Sequence, residues 1–297
     1  METKYISKNG LNEWFSQIVK SGKRVYAPVE ERGKVEFKKV QALSEVAEEY
    51  IQTTQSIKSA VFPRAEVLFS YEKENGNVKV EDFNPDTVKE TVLWKVHPCD
   101  AAGFKPLTAI FNWDYTDKLY NAHLEKTTLV TFSCAKADKS CFCTSVNGGP
   151  GNTSGSDVLL TMLPDGGAIV EILTPKGEAL VQLAASAFEN DKGEDKSKYL
   201  ADVPLAFDLE EVRARLATAF DSPVWKEQSE RCLGCGACAF VCTDALSFRA
   251  VGIFLNIETS TGWTNKCAWS GFTTKQYKEF KDLKKENLRD HMRRTIS

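Results

Sequence analysis

Cysteine spacing constrains this chain more than any other feature. Four of its nine cysteines fall within one short stretch, in the pattern CxxCxxCxxxC: Cys232, Cys235, Cys238 and Cys242. Bacterial ferredoxins use this spacing to hold a cubane iron–sulfur cluster. Gly234 and Gly236 suit that interpretation, because a residue without Cβ lets the backbone curl closely around inorganic sulfide. A zinc site usually takes two separated ligand pairs, so the run predicts an iron–sulfur cluster.

A second group of cysteines is spread over two segments. Cys134, Cys141 and Cys143 crowd the polar loop SCAKADKSCFC, and Cys99 stands in a separate tight turn, HPCDAAG. Cysteine is often simply buried in a core, and that interpretation stays open for Cys99. The polar residues of the loop are not those of a core, and a thiol-rich loop usually binds metal. The loop is therefore a candidate metal site, which Cys99 would complete as a fourth thiol.

Composition and charge exclude several classes of protein. A chain of 297 residues with 42% hydrophobic content can form one large or two modest domains with a real core. The formal net charge of −3 gives no electrostatic reason to expect nucleic acid as a partner. The start, METKYISKNG, has no apolar signal region, and no stretch approaches the roughly 20 apolar residues of a membrane span. We therefore expect a cytoplasmic protein without a membrane span, whose thiols stay reduced and available as ligands.

The middle third of the chain alternates strand and helix patterns. Strands are predicted at Thr91–Val96 and Thr127–Phe132, with a broadly helical segment over 106–120 between them. Such alternation indicates an α/β layer. Cys99 and Cys134 would then both lie just beyond the carboxyl ends of strands, where ligands gather in open α/β sheets. The two strand ends are expected to converge on one site.

The flanking segments supply further elements of a mixed α/β fold. Apolar residues at helical spacing predict helices at 11–19, 177–188 and 208–220, the last capped by Asp208. Strand patterns around turn residues predict three hairpins: 24–29 with 35–40, 67–71 with 78–80, and 157–163 with 168–173. The glycine-rich segment NGGPGNTSG is interpreted as a turn that shapes the thiolate loop rather than as a phosphate site.

A dense charged stretch, NDKGEDKSK at 190–198, marks the predicted domain boundary. Residues 1–198 are assigned to a mixed α/β (α+β) domain that carries the Cys99, Cys134, Cys141 and Cys143 group. Residues 199–297 are assigned to a small ferredoxin-like iron–sulfur segment followed by a basic C-terminal helix. The tail at 272–297 has eight Lys/Arg against four Asp/Glu. It is interpreted either as a solvated helix or as one that docks on an acidic partner subunit.

Three motifs in this order resemble a known family. HPCD, then SCAKADKSCFCTS followed by GGP, then RCLGCGACAFVC are similar to segments of the beta subunits of soluble sulfhydrogenases and of an iron–sulfur subunit of anaerobic sulfite reductase. The resemblance implies an iron–sulfur electron-transfer subunit of an anaerobic oxidoreductase complex, with no substrate chemistry of its own. It implies a relay between a flavin- or nicotinamide-handling subunit and a catalytic subunit. It also implies four metal ligands: Cys99, Cys134, Cys141 and Cys143.

The chain departs from that family's pattern after the ferredoxin-type run. Relatives continue with proline and two more cysteines, whereas Cys242 is followed by Thr243, and a second CxxCxxCxxxCP run is missing. The family's WxxC appears only loosely, as Trp263 with Cys267. In two-cluster ferredoxins the fourth cysteine of each run binds the other cluster. The fourth ligand here is therefore open among Cys242, which is favoured, Cys267 and a partner subunit.

The resulting hypothesis is an electron relay with two 4Fe-4S clusters and no catalytic residues. The three histidines, His97, His123 and His291, lie far apart in sequence and form no catalytic constellation. Hydrogenase, sulfite reductase and heterodisulfide reductase modules are all suitable catalytic partners. FAD is expected in a partner subunit. Two alternatives remain: an oxidoreductase subunit that binds flavin or NAD(P) at its own catalytic site, for which no dinucleotide fingerprint is present, and a zinc-stabilised assembly module without redox function.

Overall fold

The structure is a computed structural model that describes residues 2–63, 65–74, 77–113, 115–219 and 221–223. Its strands are β1 (Glu2–Ile6), β2 (Arg24–Glu31), β3 (Lys34–Lys39), β4 (Phe69–Glu74), β5 (Asn77–Asp82), β6 (Thr91–Val96), β7 (Thr127–Phe132), β8 (Val158–Met162), β9 (Ala168–Ile172) and β10 (Phe188–Asn190). Its α-helices are α1 (Lys8–Lys20), α2 (Pro98–Phe111), α3 (Lys118–Glu125), α4 (Pro175–Gln182) and α5 (Leu209–Thr218). The ferredoxin-type run, Cys267 and the predicted C-terminal helix lie outside the described residues.

One mixed sheet organises these elements. Its eight strands run in the order β10-β1-β9-β8-β7-β6-β2-β3, and β4 pairs with β5 in a separate two-stranded ribbon. The four central strands β2, β6, β7 and β8 are parallel, and antiparallel strands flank them on both sides. Neighbouring parallel strands have their carboxyl ends at the same edge of the sheet. The segments that follow β6 and β7 therefore start close together at that edge.

Two apolar layers cover the central strands. Along β6, Val92 and Trp94 belong to one buried cluster, whereas Leu93 belongs to another, because successive side chains of a strand point to opposite faces. Helices α1 and α4 cover the first face, and α2 and α3 cover the second. The predicted α/β layering is confirmed for the described residues, with helices on both faces of the sheet.

The helix α1 shows how sequence spacing produces this packing. Its buried positions recur every three or four residues, which places them on one face toward the sheet: Leu11, Trp14, Phe15 and Ile18. Ser7 caps the helix by accepting a hydrogen bond from the backbone N–H of Gly10. Trp14 packs edge-on against Trp94 with ring centroids 5.0 Å apart, and its indole N–H donates to the Leu180 carbonyl at 2.9 Å. Through these two contacts Trp14 joins α1 to β6 and to α4.

A buried carboxylate fixes the pairing of β7 with β8. Asp157 accepts the backbone N–H of Leu129 at 2.8 Å and the hydroxyl of Thr174 at 2.5 Å. Thr174 is in turn the N-cap of α4, whose Gly177 N–H it accepts. The same side chain therefore connects two parallel strands with the start of a helix, and it does so with its oxygens satisfied.

Two predicted helices differ from the structure. The segment 106–120 is not one helix, because α2 begins at Pro98 and ends at Phe111, and α3 follows at Lys118. Proline suits the first helical position, so Pro98 starts α2 while Pro106 lies inside it. The helix predicted over 177–188 ends at Gln182, since the chain then adds the edge strand β10 beside β1. Local periodicity reveals neither the division of 106–120 into two helices nor the pairing of β10 with β1.

Most of the other predicted elements are confirmed. The strands β6 and β7 have the predicted bounds, and β8 and β9 form the predicted hairpin. Asp208 caps α5 as expected, by accepting the N–H of Glu211. None of the helices in the described ranges is both long enough and apolar enough to cross a bilayer.

Candidate metal centre

A pocket lies at the carboxyl ends of β6 and β7, and thiols from three places line it. Cys99 occupies the first turn of α2 directly after β6, Cys134 follows β7 by two residues, and Cys141 and Cys143 come from the loop beyond. All four cysteines are half-buried. The prediction that two strand ends converge on one site is therefore confirmed. The role of these thiols as metal ligands remains a prediction at this point.

A β-bulge at the end of β6 precedes Cys99 and affects the direction in which the chain leaves the sheet. Lys95 has a positive φ of 62°, and the pairing of β6 with β7 shifts between Trp94 and Val96. The ammonium group of Lys95 donates to the Ala47 carbonyl at 2.8 Å, and burial lowers the pKa of Lys95 below its usual value. A bulge redirects the strand at its rim, so it sets the direction in which His97, Pro98 and Cys99 leave the sheet.

His97 lies between the thiol of Cys134 and the half-buried residue Tyr50. Its Nδ1 lies 3.4 Å from the Cys134 sulfur, and its Nε2 lies 3.2 Å from the Tyr50 carbonyl oxygen. The rings of His97 and Tyr50 pack against each other, with their centroids 4.1 Å apart. The Tyr50 hydroxyl donates to the Lys95 carbonyl at 2.6 Å. Burial, together with the nearby charges of Asp100, Cys134 and Cys99, raises the pKa of Tyr50 well above its usual value, so this support is a neutral phenol.

Asp138 organises the loop that carries Cys141. Its carboxylate accepts hydrogen bonds from the Ser140 N–H at 2.8 Å and from the Gln52 amide at 2.9 Å. The backbone N–H of Asp138 points at the Cys141 sulfur at 3.5 Å, and the Cys141 N–H donates to the Asp138 carbonyl at 3.1 Å. The loop is therefore closed on itself, with an N–H group directed at a thiol.

The glycine-rich segment forms the far wall of the pocket. Gly148, Gly149 and Pro150 line it, and the Pro150 carbonyl accepts the Cys134 N–H at 2.9 Å. Further along, Gly155 has a φ of +79°, and a Cβ built there would lie 2.1 Å from the Ala101 carbonyl oxygen in α2. The segment is thus a turn beside the thiolate loop, as predicted, and the structure adds that it packs against the first turn of α2.

Residues that follow the predicted boundary at 198 pack on the cysteine loops. The Ala201 N–H donates to the Cys134 carbonyl at 2.7 Å, and the Ser145 hydroxyl accepts the Ala206 N–H at 2.8 Å. Val203 is buried and lines the pocket. The boundary itself stays a prediction, but the chain just beyond it closes one side of the site.

The donor set fits an iron–sulfur cubane. Among the described residues, no three His, Cys, Asp or Glu side chains converge closely enough to hold one ion. The four thiols line one pocket, and in a cubane each of four cysteines binds a different iron atom. The Asp138 N–H at Cys141 and the positive end of α2 at Cys99 both favour an anionic group.

Sequence patterns did not identify three residues of this site. The segment containing Tyr50 has no clear periodicity, and Val203 lies beyond the predicted boundary. A strand pattern through Thr91–Val96 gives no sign of the bulge at Lys95, because a positive φ leaves no mark in an apolar alternation. The glycines after Cys143 were the only local signal for the far wall.

Comparison with known proteins gives one informative relative. The chain is 30% identical over 244 residues to Sulfhydrogenase 2 subunit beta of Pyrococcus furiosus, a match that covers 77% of this chain and 68% of that protein. No protein-family model matches the chain, and no solved structure matches it. On the strength of that relative, this chain belongs to the sulfhydrogenase beta subunit family.

Proposed function

We propose that this chain is an iron–sulfur electron-transfer subunit of a hydrogenase-type oxidoreductase complex. One observation carries the proposal: four thiols from three segments surround one pocket where β6 and β7 end. Membership of a family whose named relative is a sulfhydrogenase subunit supports the same function. Two cubane clusters would let the chain accept and donate single electrons.

The described residues hold and shield the first of these clusters. The ligands are the four pocket thiols, Cys99, Cys134, Cys141 and Cys143. The His97 ring and the Asp138 N–H approach two of the sulfurs, and hydrogen bonds to sulfur are one of the factors that set cluster potentials. Phe142 and Val203, both buried at the pocket, keep water away from it.

The second cluster is assigned to the ferredoxin-type run. Cys232, Cys235 and Cys238 supply three ligands, and Cys242 or Cys267 supplies the fourth. Electrons pass in this proposal between a flavin- or nicotinamide-handling subunit, which holds FAD, and a catalytic subunit of hydrogenase, sulfite reductase or heterodisulfide reductase type. The complex is cytoplasmic and works without oxygen.

Metal analysis of the full chain tests the proposal. Chain purified without oxygen is expected to contain about eight iron atoms and about eight acid-labile sulfides, from two cubanes. Colourless protein with zinc and no sulfide would instead indicate the assembly module. Flavin that stays bound after desalting would indicate a catalytic site within this chain. An iron content near four atoms per chain would show that only one of the two proposed clusters is present.

The contact between His97 and Cys134 predicts a measurable change in potential. A hydrogen bond donated to a ligand sulfur stabilises the more negative, reduced cluster and so raises its potential. Because the Tyr50 carbonyl oxygen can only accept, Nε2 of His97 carries a proton, and Nδ1 donates to the Cys134 sulfur when the ring is an imidazolium. Replacing His97 by phenylalanine keeps a ring against Tyr50 but removes that donor. If the bond is about 1 kcal/mol stronger in the reduced state, the potential falls by about 40 mV. A redox titration followed by electron paramagnetic resonance measures this shift.

The matched control for that variant is His123→Phe. His123 contacts Glu66 at 2.6 Å and does not line the thiol pocket. Its replacement is expected to leave both cluster potentials unchanged. Equal potentials in the His97→Phe variant and the unaltered chain would show that His97 does not act on the cluster.

A further inference from the structure

Residues 47–52 form an irregular segment that runs beside the thiol pocket, and Ile51 lines that pocket. The segment is anchored on β6. The Lys95 ammonium donates to the Ala47 carbonyl at 2.8 Å, and the Tyr50 hydroxyl donates to the Lys95 carbonyl at 2.6 Å. Because both ends of this contact involve the bulge of β6, the segment has a fixed position relative to the sheet.

Gln52 joins this segment to the loop between Cys134 and Cys141. Its amide nitrogen donates to the Asp138 carboxylate at 2.9 Å and to the Ser140 hydroxyl at 2.5 Å. All three of these side chains belong to half-buried residues. A hydrogen bond to an ionised group is about twice as strong as one between neutral groups, and partial burial limits competition from water. The Gln52 amide is therefore a strong link between the segment and the loop.

A second contact between the segment and the loop is weaker. Glu49 pairs with Lys136 at 2.6 Å, but the two side chains are 68% and 65% exposed. Exposed ion pairs contribute little, because water and salt screen them. Of the two contacts, that of Gln52 is the one expected to hold the loop.

Asp138 connects Gln52 to the sulfur of Cys141. Its Oδ2 accepts the Gln52 amide, and its Oδ1 accepts the Ser140 N–H at 2.8 Å. The backbone N–H of Asp138 points at the Cys141 sulfur at 3.5 Å, and Oδ1 lies 3.6 Å from the same sulfur. An N–H group stabilises negative charge on sulfur, whereas a carboxylate opposes it. The Gln52 amide thus keeps the N–H directed at the sulfur and offsets part of the carboxylate charge.

We propose that Gln52 is a positioning residue for Cys141, which acts through Asp138 and favours the reduced state of the pocket cluster. The presence of a cluster rests on the proposed function. The link between Gln52 and the cysteine loop rests on the contacts alone.

Hydrogen exchange of the full chain, purified without oxygen, tests the link. Gln52→Leu is similar in size but removes the donor, and Gln52→Glu places a carboxylate opposite Asp138. Amides of residues 138–143 are expected to exchange at least about tenfold faster in both variants, because a hydrogen bond to a charged group is lost. Peptides from β6 and β7 should change by less than about twofold, which would show that the sheet stays folded.

The double variant Q52E/D138N provides a rescue that is specific to this pair. The asparagine amide can donate to the new carboxylate, so the contact forms again with its polarity reversed and with the net charge of the unaltered chain. Exchange at 138–143 is expected to return to within about twofold of that chain. A double variant that exchanges as fast as Q52E would contradict direct pairing of the two side chains.

The reduction potential reports whether the link acts on the cluster. At a fixed potential, Q52L is expected to lower the ratio of reduced to oxidised pocket cluster about threefold, a fall of about 28 mV for a one-electron couple. A redox titration followed by electron paramagnetic resonance measures it, on the signal that a Cys134→Ser variant lacks. The matched control is Gln55→Leu. Gln55 is also half-buried, but its amide lies 3.5 Å from the Glu36 carboxylate and does not line the pocket. This control should change neither exchange nor potential.

Two results would overturn the proposal. Unchanged exchange at 138–143 in Q52L and Q52E would show that the loop is held by its own bonds, in which the Ser140 and Cys141 N–H groups donate to Asp138. Faster exchange with an unchanged potential would show that Gln52 holds the loop without acting on the cluster.

Iron measured in the same samples separates this proposal from the proposed function. Both single variants are expected to keep the iron content of the unaltered chain, since all of its thiols remain. Faster exchange in a chain that contains no iron would leave the link in place but reject the electron-transfer function, and with it any effect on potential. Full iron content with unchanged exchange would reject the positioning role and leave that function in place.

Discussion

The Cys134→Ser variant is expected to contain about four fewer iron atoms than the unaltered chain, and about four fewer sulfides. Serine oxygen is a poorer ligand for iron than thiolate, and Cys134 lies where β7 meets the Gly-rich wall, so no other cysteine of the described residues can replace it without moving that loop. Iron and acid-labile sulfide determined on anaerobically purified protein measure the change.

The neighbouring Ser133→Ala variant is the control for that experiment. Ser133 also follows β7, but its hydroxyl donates to Thr161 at 3.1 Å and not to the pocket. Its iron content should match that of the unaltered chain. If Cys134→Ser also keeps all of its iron, the pocket thiols do not hold a cluster.

The second large effect is expected for Gly155→Ala. A Cβ at this position would lie 2.1 Å from the Ala101 carbonyl oxygen, and the backbone φ of +79° is one that side chains rarely adopt. To relieve this clash, α2 and the glycine-rich segment would have to move apart. We expect a loss of about 3 kcal/mol in the free energy of unfolding, or a melting temperature lower by roughly 6 to 12 °C. Thermal unfolding followed by circular dichroism measures the effect.

Gly149→Ala provides the matched comparison within the same segment. A Cβ there would meet no atom within 4 Å, and its φ lies outside the left-handed region. Its melting temperature should stay close to that of the unaltered chain. Because Ala101 lies two residues after Cys99, Gly155→Ala should also lower iron content, and equal stability of the two alanine variants would contradict the packing described here.

The strands that position the site were predictable from local sequence. Thr91–Val96 and Thr127–Phe132 are apolar runs bounded by polar turns, and both match the structure at each end. Parallel strands open toward the same edge, so Cys99 and Cys134 were expected to converge. The pocket thus follows from topology that a sequence pattern can reveal.

Other parts of the site depend on contacts between distant residues. The first turn of α2 packs on Gly155, which lies more than fifty residues away in the sequence. The bulge at Lys95 is stabilised by carbonyls of residues 47 and 48, and Val203 reaches the pocket from beyond the charged segment. Local periodicity carries no information on such long-range contacts, so these features required the structure.

The ribbon of β4 and β5 also shows what local sequence patterns cannot predict. The alternation around Asn75-Gly76 predicted a hairpin, and β4 and β5 confirm it. Periodicity also predicts that one face is apolar, but it assigns such a face to the core by default. In the structure Tyr71 and Val80 are exposed, so periodicity alone did not predict how this hairpin packs.

Iron spectroscopy on a variant without the ferredoxin-type run tests most directly whether the pocket thiols hold a cluster. The variant carries serine in place of the four cysteines of that run: Cys232, Cys235, Cys238 and Cys242. Mössbauer spectroscopy of the iron-57-labelled, oxygen-free chain is expected to show about four iron atoms in a single cubane. A chain without iron, or one with a single zinc in its place, would contradict the assignment of the pocket at the ends of β6 and β7.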